Sequence, residues 1–196
     1  MAFVAAAPAA VSPVYVSSQV ELAADRQTFF APCGAGPVVA EGTLTSVESG
    51  SVADAEATWP DDAFNATCYL ELLEGDHAGL TAAITDTVAD GGVLTLVDDL
   101  SARTPAVEAG TRYVIREHLC LEDLFGPDNE AGLAAGPNAA AADQVKCWDA
   151  VNQHTDAFFY KTSAGWRDSS DTFAAAAEAI RPYEGLIVER EIGRAS

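Results

Sequence analysis

GLTAAITDTVADGGVLTLVDDLSARTPAVEAGTRYVIREHLCLEDLF, residues 79–125, is the stretch that decides the fold. Leu80, Ala82, Ile84 and Val88 fall on even positions, with Thr and Asp mostly between them. This period of two marks a strand with one buried face. Ala89-Asp90-Gly91-Gly92 follows, and a Gly pair supplies the positive φ of a tight hairpin turn. Val93 to Val97 is a second β-branched run, and Thr111 to Ile115 a third after the turn at Glu108-Ala109-Gly110. Three strands within about forty residues predict a meander.

Outward from this stretch the same signals recur. Val11 to Leu22 alternates in part and carries Pro13, which confines it to an edge strand or an extended arm. Thr28-Phe29-Phe30 is an apolar patch that runs into a turn around Cys33-Gly34. Val38 to Val47 and Phe64 to Leu73 read as strands, with an acidic, turn-rich loop at Glu48 to Asp62 between them. Leu121, Leu124 and Phe125 have the spacing of one helical turn. Gly126 to Ala142 is rich in Gly, Pro and Ala and reads as a long loop or boundary. Gln144 to Ala150, Ala157 to Thr162 and Gly185 to Ile192 complete the strands. Asp171 to Ile180 has high helix propensity, with Asp171 as its N-cap.

The pattern predicts an all-β barrel or sandwich of about ten short strands, with one or two helical turns. The expected divisions are an extended N-terminal arm or edge strand at 1–22 and a β-meander domain at 23–125. A Gly/Pro/Ala-rich loop follows at 126–142, then a C-terminal β subdomain at 143–196.

Composition narrows the function. Ten Lys and Arg stand against thirty Asp and Glu, a formal charge of −20 over 196 residues. Such a surface repels phosphate backbones and anionic lipid, so nucleic acid is not an expected partner. No segment reaches the roughly 18 apolar residues of a spanning helix, so no membrane insertion is expected. Met1 to Ala10 is apolar and small but lacks the basic start of an export signal.

Four cysteines, Cys33, Cys68, Cys120 and Cys147, lie far apart in sequence, without metal-cluster spacing. An even count in a β-rich chain favours two disulfides in an oxidising compartment. Of three connectivities, Cys33–Cys68 and Cys120–Cys147 keep each bridge within one half, and each would contribute on the order of 3 kcal/mol. The alternative is four reduced, buried thiols.

Several pieces together resemble the uncharacterised, secreted, β-rich proteins of Verrucomicrobia and Planctomycetes. The pieces are VYVSSQVEL (14–22), GTLTSV (42–47), AGLTAAITDTVADGGVLTLVDDLS (78–101) and AGTRYVIREHLCLEDLFGP (109–127), with ADQVKCWD (142–149), FFYKTSAGWR (158–167) and PYEGLIVER (182–190). The resemblance spans roughly residues 14–190. This chain has Pro182-Tyr183 where that family has Pro-Gly. The resemblance implies export, an all-β fold and a non-enzymatic role, and it carries no catalytic residue across.

Motifs for catalysis are weak. His77, His118 and His154 are isolated, and no GxSxG elbow or HExxH is present. A thiol nucleophile at Cys120 beside His118 lacks a visible orienting group. Trp59, Trp148 and Trp166 could stack on sugars, though aromatics at such positions more often fill cores. Asn65-Ala66-Thr67 matches the glycosylation sequon. No cofactor is expected except calcium, for which Asp128, Asn129 and Glu130 offer oxygen ligands in a Gly/Pro-rich loop.

The reading that results is a non-enzymatic structural subunit of an extracellular or cell-surface filament, tube or lattice. Its partner is itself, through β edges, with Pro13, Val14, Tyr15 and Val16 as the arm that adds to a neighbour's sheet. The alternatives are a virion structural protein, and a carbohydrate-binding module or polysaccharide hydrolase.

Overall fold

A computed structural model describes residues 27–30, 35–149, 153–172, 175, 179–180 and 185–190. The expected assembly arm at Pro13 to Val16, and Cys33, lie outside these residues. The strands are β1 (Gln27–Phe30), β2 (Val38–Thr43), β3 (Ser46–Glu48), β4 (Ser51–Ala53), β5 (Cys68–Leu72), β6 (Thr81–Val88) and β7 (Val93–Leu96). There follow β8 (Arg112–Glu117), β9 (Leu119–Cys120), β10 (Gln144–Asp149), β11 (His154–Lys161), β12 (Gly165–Asp168), β13 (Ala179–Ile180) and β14 (Leu186–Glu189). Among the described residues helix is confined to α1 (Leu121–Phe125) and two 3-10 turns, at Leu100–Ala102 and Ala139–Ala141. The chain is therefore all-β. Among the described residues no sheet closes into a barrel, and the sheets fit a sandwich.

The first sheet has seven strands in the order β2-β8-β5-β6-β7-β4-β3, all antiparallel. β6 belongs to both halves of it. Its first residues pair with β5 and its last with β7, and a bulge between Ile84 and Asp86 lets the sheet fold over. Leu44, Leu70, Leu72, Ile84, Leu94, Tyr113 and Ile115 fill the space between the halves.

The bulge also explains a departure from the even-position pattern. Ala82 and Ile84 are buried as expected, but the extra residue shifts the phase by one. Thr87 then points inward and Val88 outward. The Gly pair makes the turn as read, with Gly91 at φ 77° and Gly92 at φ 57°.

The meander is β5-β6-β7, not the three runs of residues 80–115. The third run, β8, inserts between β2 and β5 on the far side. Tyr113, Val114 and Ile115 are all buried, and a strand buried on both faces belongs in mid-sheet.

The second sheet has the order β1-β14-β10-β11-β12, and a two-stranded ribbon pairs β9 with β13. Strand β1 thus lies in the sheet formed by the C-terminal strands. Leu121, Phe125, Leu133, Val145, Phe158, Trp166, Leu186 and Val188 make a second core. Leu133 comes from the Gly/Pro/Ala-rich stretch, where Asn129 braces its backbone. The Asn129 amide donates to the Leu133 carbonyl at 2.7 Å and accepts from its N–H at 3.1 Å.

Two further expectations are corrected. The Glu48–Asp62 loop contains β4, which bridges β3 and β7. The helix expected at Asp171–Ile180 is not formed at the described positions. Asp171 has φ 61°, Ala175 N–H donates to Trp166 O at 3.0 Å, and Ala179–Ile180 pair with β9. Tertiary pairing outweighs a propensity worth only tenths of a kcal/mol per residue.

Candidate functional site

Among the described residues the two large sheets present four edges, of which β3 and β12 are covered and β2 is blocked in part. On β2 the guard begins with alternation. Leu44 N–H donates to Thr111 O at 3.0 Å, so Leu44, Gly42 and Ala40 face β8, while Thr43 and Glu41 face outward. The outward N–H of Thr43 is taken by Asp54 Oδ2 at 3.3 Å. A bulge between Val38 and Ala40 bends the other end, and Glu41 puts a charge on the edge.

The β3 edge is three residues long. The 3-10 turn at Leu100–Ala102 packs beside it. Ser49, in the β3–β4 turn, donates to Asp99 Oδ2 at 2.8 Å, and Asp99 caps that 3-10 turn.

The β12 edge is covered by the chain that follows it. Asp168, buried, accepts from Thr172 N–H at 2.7 Å, Thr172 Oγ1 at 3.0 Å and Ser170 N–H at 3.2 Å, which folds 169–172 back. Ala175 N–H then closes on Trp166 O.

Strand β1 differs from these. It reads Gln-Thr-Phe-Phe, with no charge, no proline and an unbroken register against β14. Among the described residues no strand pairs with its outer side. In the sequence Thr28 to Phe30 is an apolar patch with no mark of an edge. Which edge of a sheet it forms is settled by β14, whose paired residues lie 156 to 162 positions later.

A groove of about 650 Å³ runs between β2 and the 54–64 loop. Its walls include Val39, Glu41, Glu56, Ala57, Trp59 and Phe64. Trp59 meets Phe64 edge-on at 5.4 Å. Its indole N–H is closed off and has no acceptor among the described residues. At the inner end Asp54 is fully engaged. It accepts from Tyr113 Oη at 2.8 Å and Glu56 N–H at 3.0 Å as well as from Thr43. Burial, then the hydrogen bond and charge of Asp54, push the Tyr113 phenol well above its ordinary value. No local signal marks this cluster, because its members are scattered over residues 43–113.

The expected disulfides are corrected. Cys120 is a thiol, not bonded to Cys147, and it donates to Asp123 Oδ2 at 2.9 Å. Cys147 lies in mid-β10, buried in the second core. Cys68 is likewise a thiol, buried in the first core at 3.6 Å from Thr67 Oγ1. An even cysteine count sets no distance, and Cys68 and Cys147 serve as small apolar filling of the two cores. Burial, then the Asp123 hydrogen bond, push the Cys120 thiol up to about 11, the opposite of an activated nucleophile.

The remaining candidates are dispersed. His77 Nε2 lies 2.6 Å from Pro105 O, His118 stacks on Tyr69 at 5.2 Å, and His154 pairs with Asp156 at 2.9 Å. Trp166 is buried between Phe125 and Tyr160 and donates to Gly126 O at 2.9 Å, whereas Trp148 is 46% exposed. In the loop proposed for calcium, Asn129 holds Leu133 and Glu130 accepts from Asp128 N–H at 3.1 Å. Among the described residues no group of three or more His, Cys, Asp or Glu gathers as a metal site. The sequon amide of Asn65 donates to Asp62 at 2.7 Å and Asp86 at 3.1 Å, so its nitrogen is engaged in the fold. No helix among the described residues is long and apolar enough to cross a membrane.

No protein-family model, curated protein or solved structure matches this chain.

Proposed function

We propose that this chain is a non-enzymatic structural subunit that associates with copies of itself through β edges, in an extracellular or cell-surface assembly. One observation carries the reading: among the described residues the β3 and β12 edges are covered and the β2 edge is blocked at Thr43, whereas β1 has no such guard. An unguarded edge of uncharged residues templates another strand. Two occupants fit it. A second copy's β1 would give a closed two-fold dimer, and a neighbour's arm at Pro13 to Val16 would give head-to-tail growth. The resemblance to exported β-rich proteins supports the extracellular setting.

The charge of −20 on each copy opposes association, so salt favours assembly by screening. Calcium at Asp128 and Glu130 would act in the same direction.

Electron microscopy of the purified protein tests the reading, with two variants alongside. One lacks residues 1–16. The other carries Gln27→Lys and Thr28→Lys, which place charge on the open edge. Ordered oligomers or filaments that the lysine variant loses support the proposal. A protein that stays monomeric at every salt concentration overturns it, and glycan binding by that monomer would favour a carbohydrate-binding module.

A further inference from the structure

The groove beside β2 has the attributes of a short peptide site, and it is distinct from the β1 edge. We infer that it takes an extended, cationic peptide segment of a partner, laid antiparallel or parallel along residues 39–43.

Three observations converge on that occupant. The first is backbone. Glu41 faces away from β8, and among the described residues nothing bonds its outward N–H and C=O. Asp54 occupies the next outward N–H, that of Thr43, and so limits the added strand to a few residues. A peptide that bonds at Glu41 and ends at Asp54 satisfies the edge with a short added strand.

The second is charge. The walls carry Glu41, Glu56 and Asp54 and no Lys or Arg. Asp54 is spent on Tyr113, Thr43 and Glu56, which leaves two exposed carboxylates facing an incoming chain. Their complement is a lysine or arginine on the peptide.

The third is the apolar floor. Val39 is 43% exposed beside Ala57 and the Trp59–Phe64 pair. A strand alternates its side chains, so a peptide of alternating apolar and basic residues sets one kind on this floor and the other toward solvent and the carboxylates. The volume of about 650 Å³ lies within the range of sites that hold short ligands.

The probe is a fluorescein-labelled, capped hexapeptide alternating valine and lysine, followed by fluorescence polarisation. A valine–glutamate peptide of the same length is its counterpart. Three variants accompany the wild type: Glu56→Lys, Glu41→Pro, and Glu122→Lys as a remote charge control on α1. Circular dichroism verifies that each is folded. The expected result is saturable binding of the lysine peptide, none of the glutamate peptide, and at least roughly tenfold weaker binding by both groove variants. Glu122→Lys retains wild-type affinity. The inference is overturned if both peptides bind alike, if the groove variants keep wild-type affinity, or if Glu122→Lys loses as much as Glu56→Lys. The last outcome would mean general adsorption to an acidic surface. Loss of self-assembly on changing β1 has no bearing on this binding, so the two proposals fail separately.

Discussion

Asp54 and Tyr113, 59 positions apart, meet in the first core, where the tyrosine hydroxyl donates to the Asp54 carboxylate at 2.8 Å. The same carboxylate ends the β2 ladder at Thr43 and holds the turn at Glu56. Gly42 makes the approach feasible, because a Cβ there would collide with both the carboxylate and the phenol. Removing one partner leaves the other buried and unsatisfied. Tyr113→Phe is expected to cost about 2 kcal/mol and Asp54→Ala about 3 kcal/mol. In the double variant the two losses are less than additive, because they break one contact. Urea denaturation of the three variants measures this.

The same pair sets an alkaline limit. The folded-state phenol is raised above its ordinary value of 10.0, so the folded protein holds a proton that the unfolded chain releases. The stability this contributes is complete below about pH 10 and is lost as pH rises further. Denaturation midpoints across this range should fall for the wild type. Tyr113→Phe, already less stable, should lose this component of the slope.

Asp99 sets an acidic counterpart. Hydrogen bonds from Ser101 and Ser49 hold its carboxyl at about 2, below the ordinary 3.8. Its contribution is present above pH 3.8 and is lost as pH falls toward 2. In Asp99→Ala the acid limb of the stability curve should be shallower, and the β3 edge should exchange its amides faster. An unchanged acid limb would contradict the role given to Asp99.

For the cysteines, alkylation in denaturant without reductant should modify both Cys68 and Cys120. In the native protein Cys120 should react slowly, since its thiol sits at about 11 against an ordinary 9.0. Its thiolate is therefore roughly a hundredfold scarcer at neutral pH than that of an ordinary cysteine. The rate should rise about tenfold per pH unit up to that value. Failure of Cys120 to alkylate in denaturant would indicate a disulfide after all.

Local signals were legible and pairings over distance were not. The even spacing of Ala82 and Ile84 and the pair Gly91-Gly92 identify a hairpin, because all its determinants lie within fifteen residues. Nothing local places Thr111 to Ile115 beside β5 instead of β7, since that choice depends on which neighbours cover both faces of Tyr113, Val114 and Ile115. The stretch after Asp171 carries helix propensity, yet Asp168 binds Thr172 and Ala179–Ile180 pair with Leu119–Cys120. Each interaction needs a partner invisible from the residue itself. Asp54 and Gln27–Phe30 carry no local sign of their places for the same reason: a buried carboxylate and a sheet edge are defined by what stands beside them.

The most direct test of the β-edge account is the light-scattering mass of the wild type against that of Gln27→Lys/Thr28→Lys, over a range of concentration and salt. The account predicts a wild-type mass that climbs above the monomer with concentration, climbs further with salt, and collapses to the monomer in the variant. A wild-type protein that remains monomeric throughout, or a variant that assembles as readily as the wild type, would contradict it.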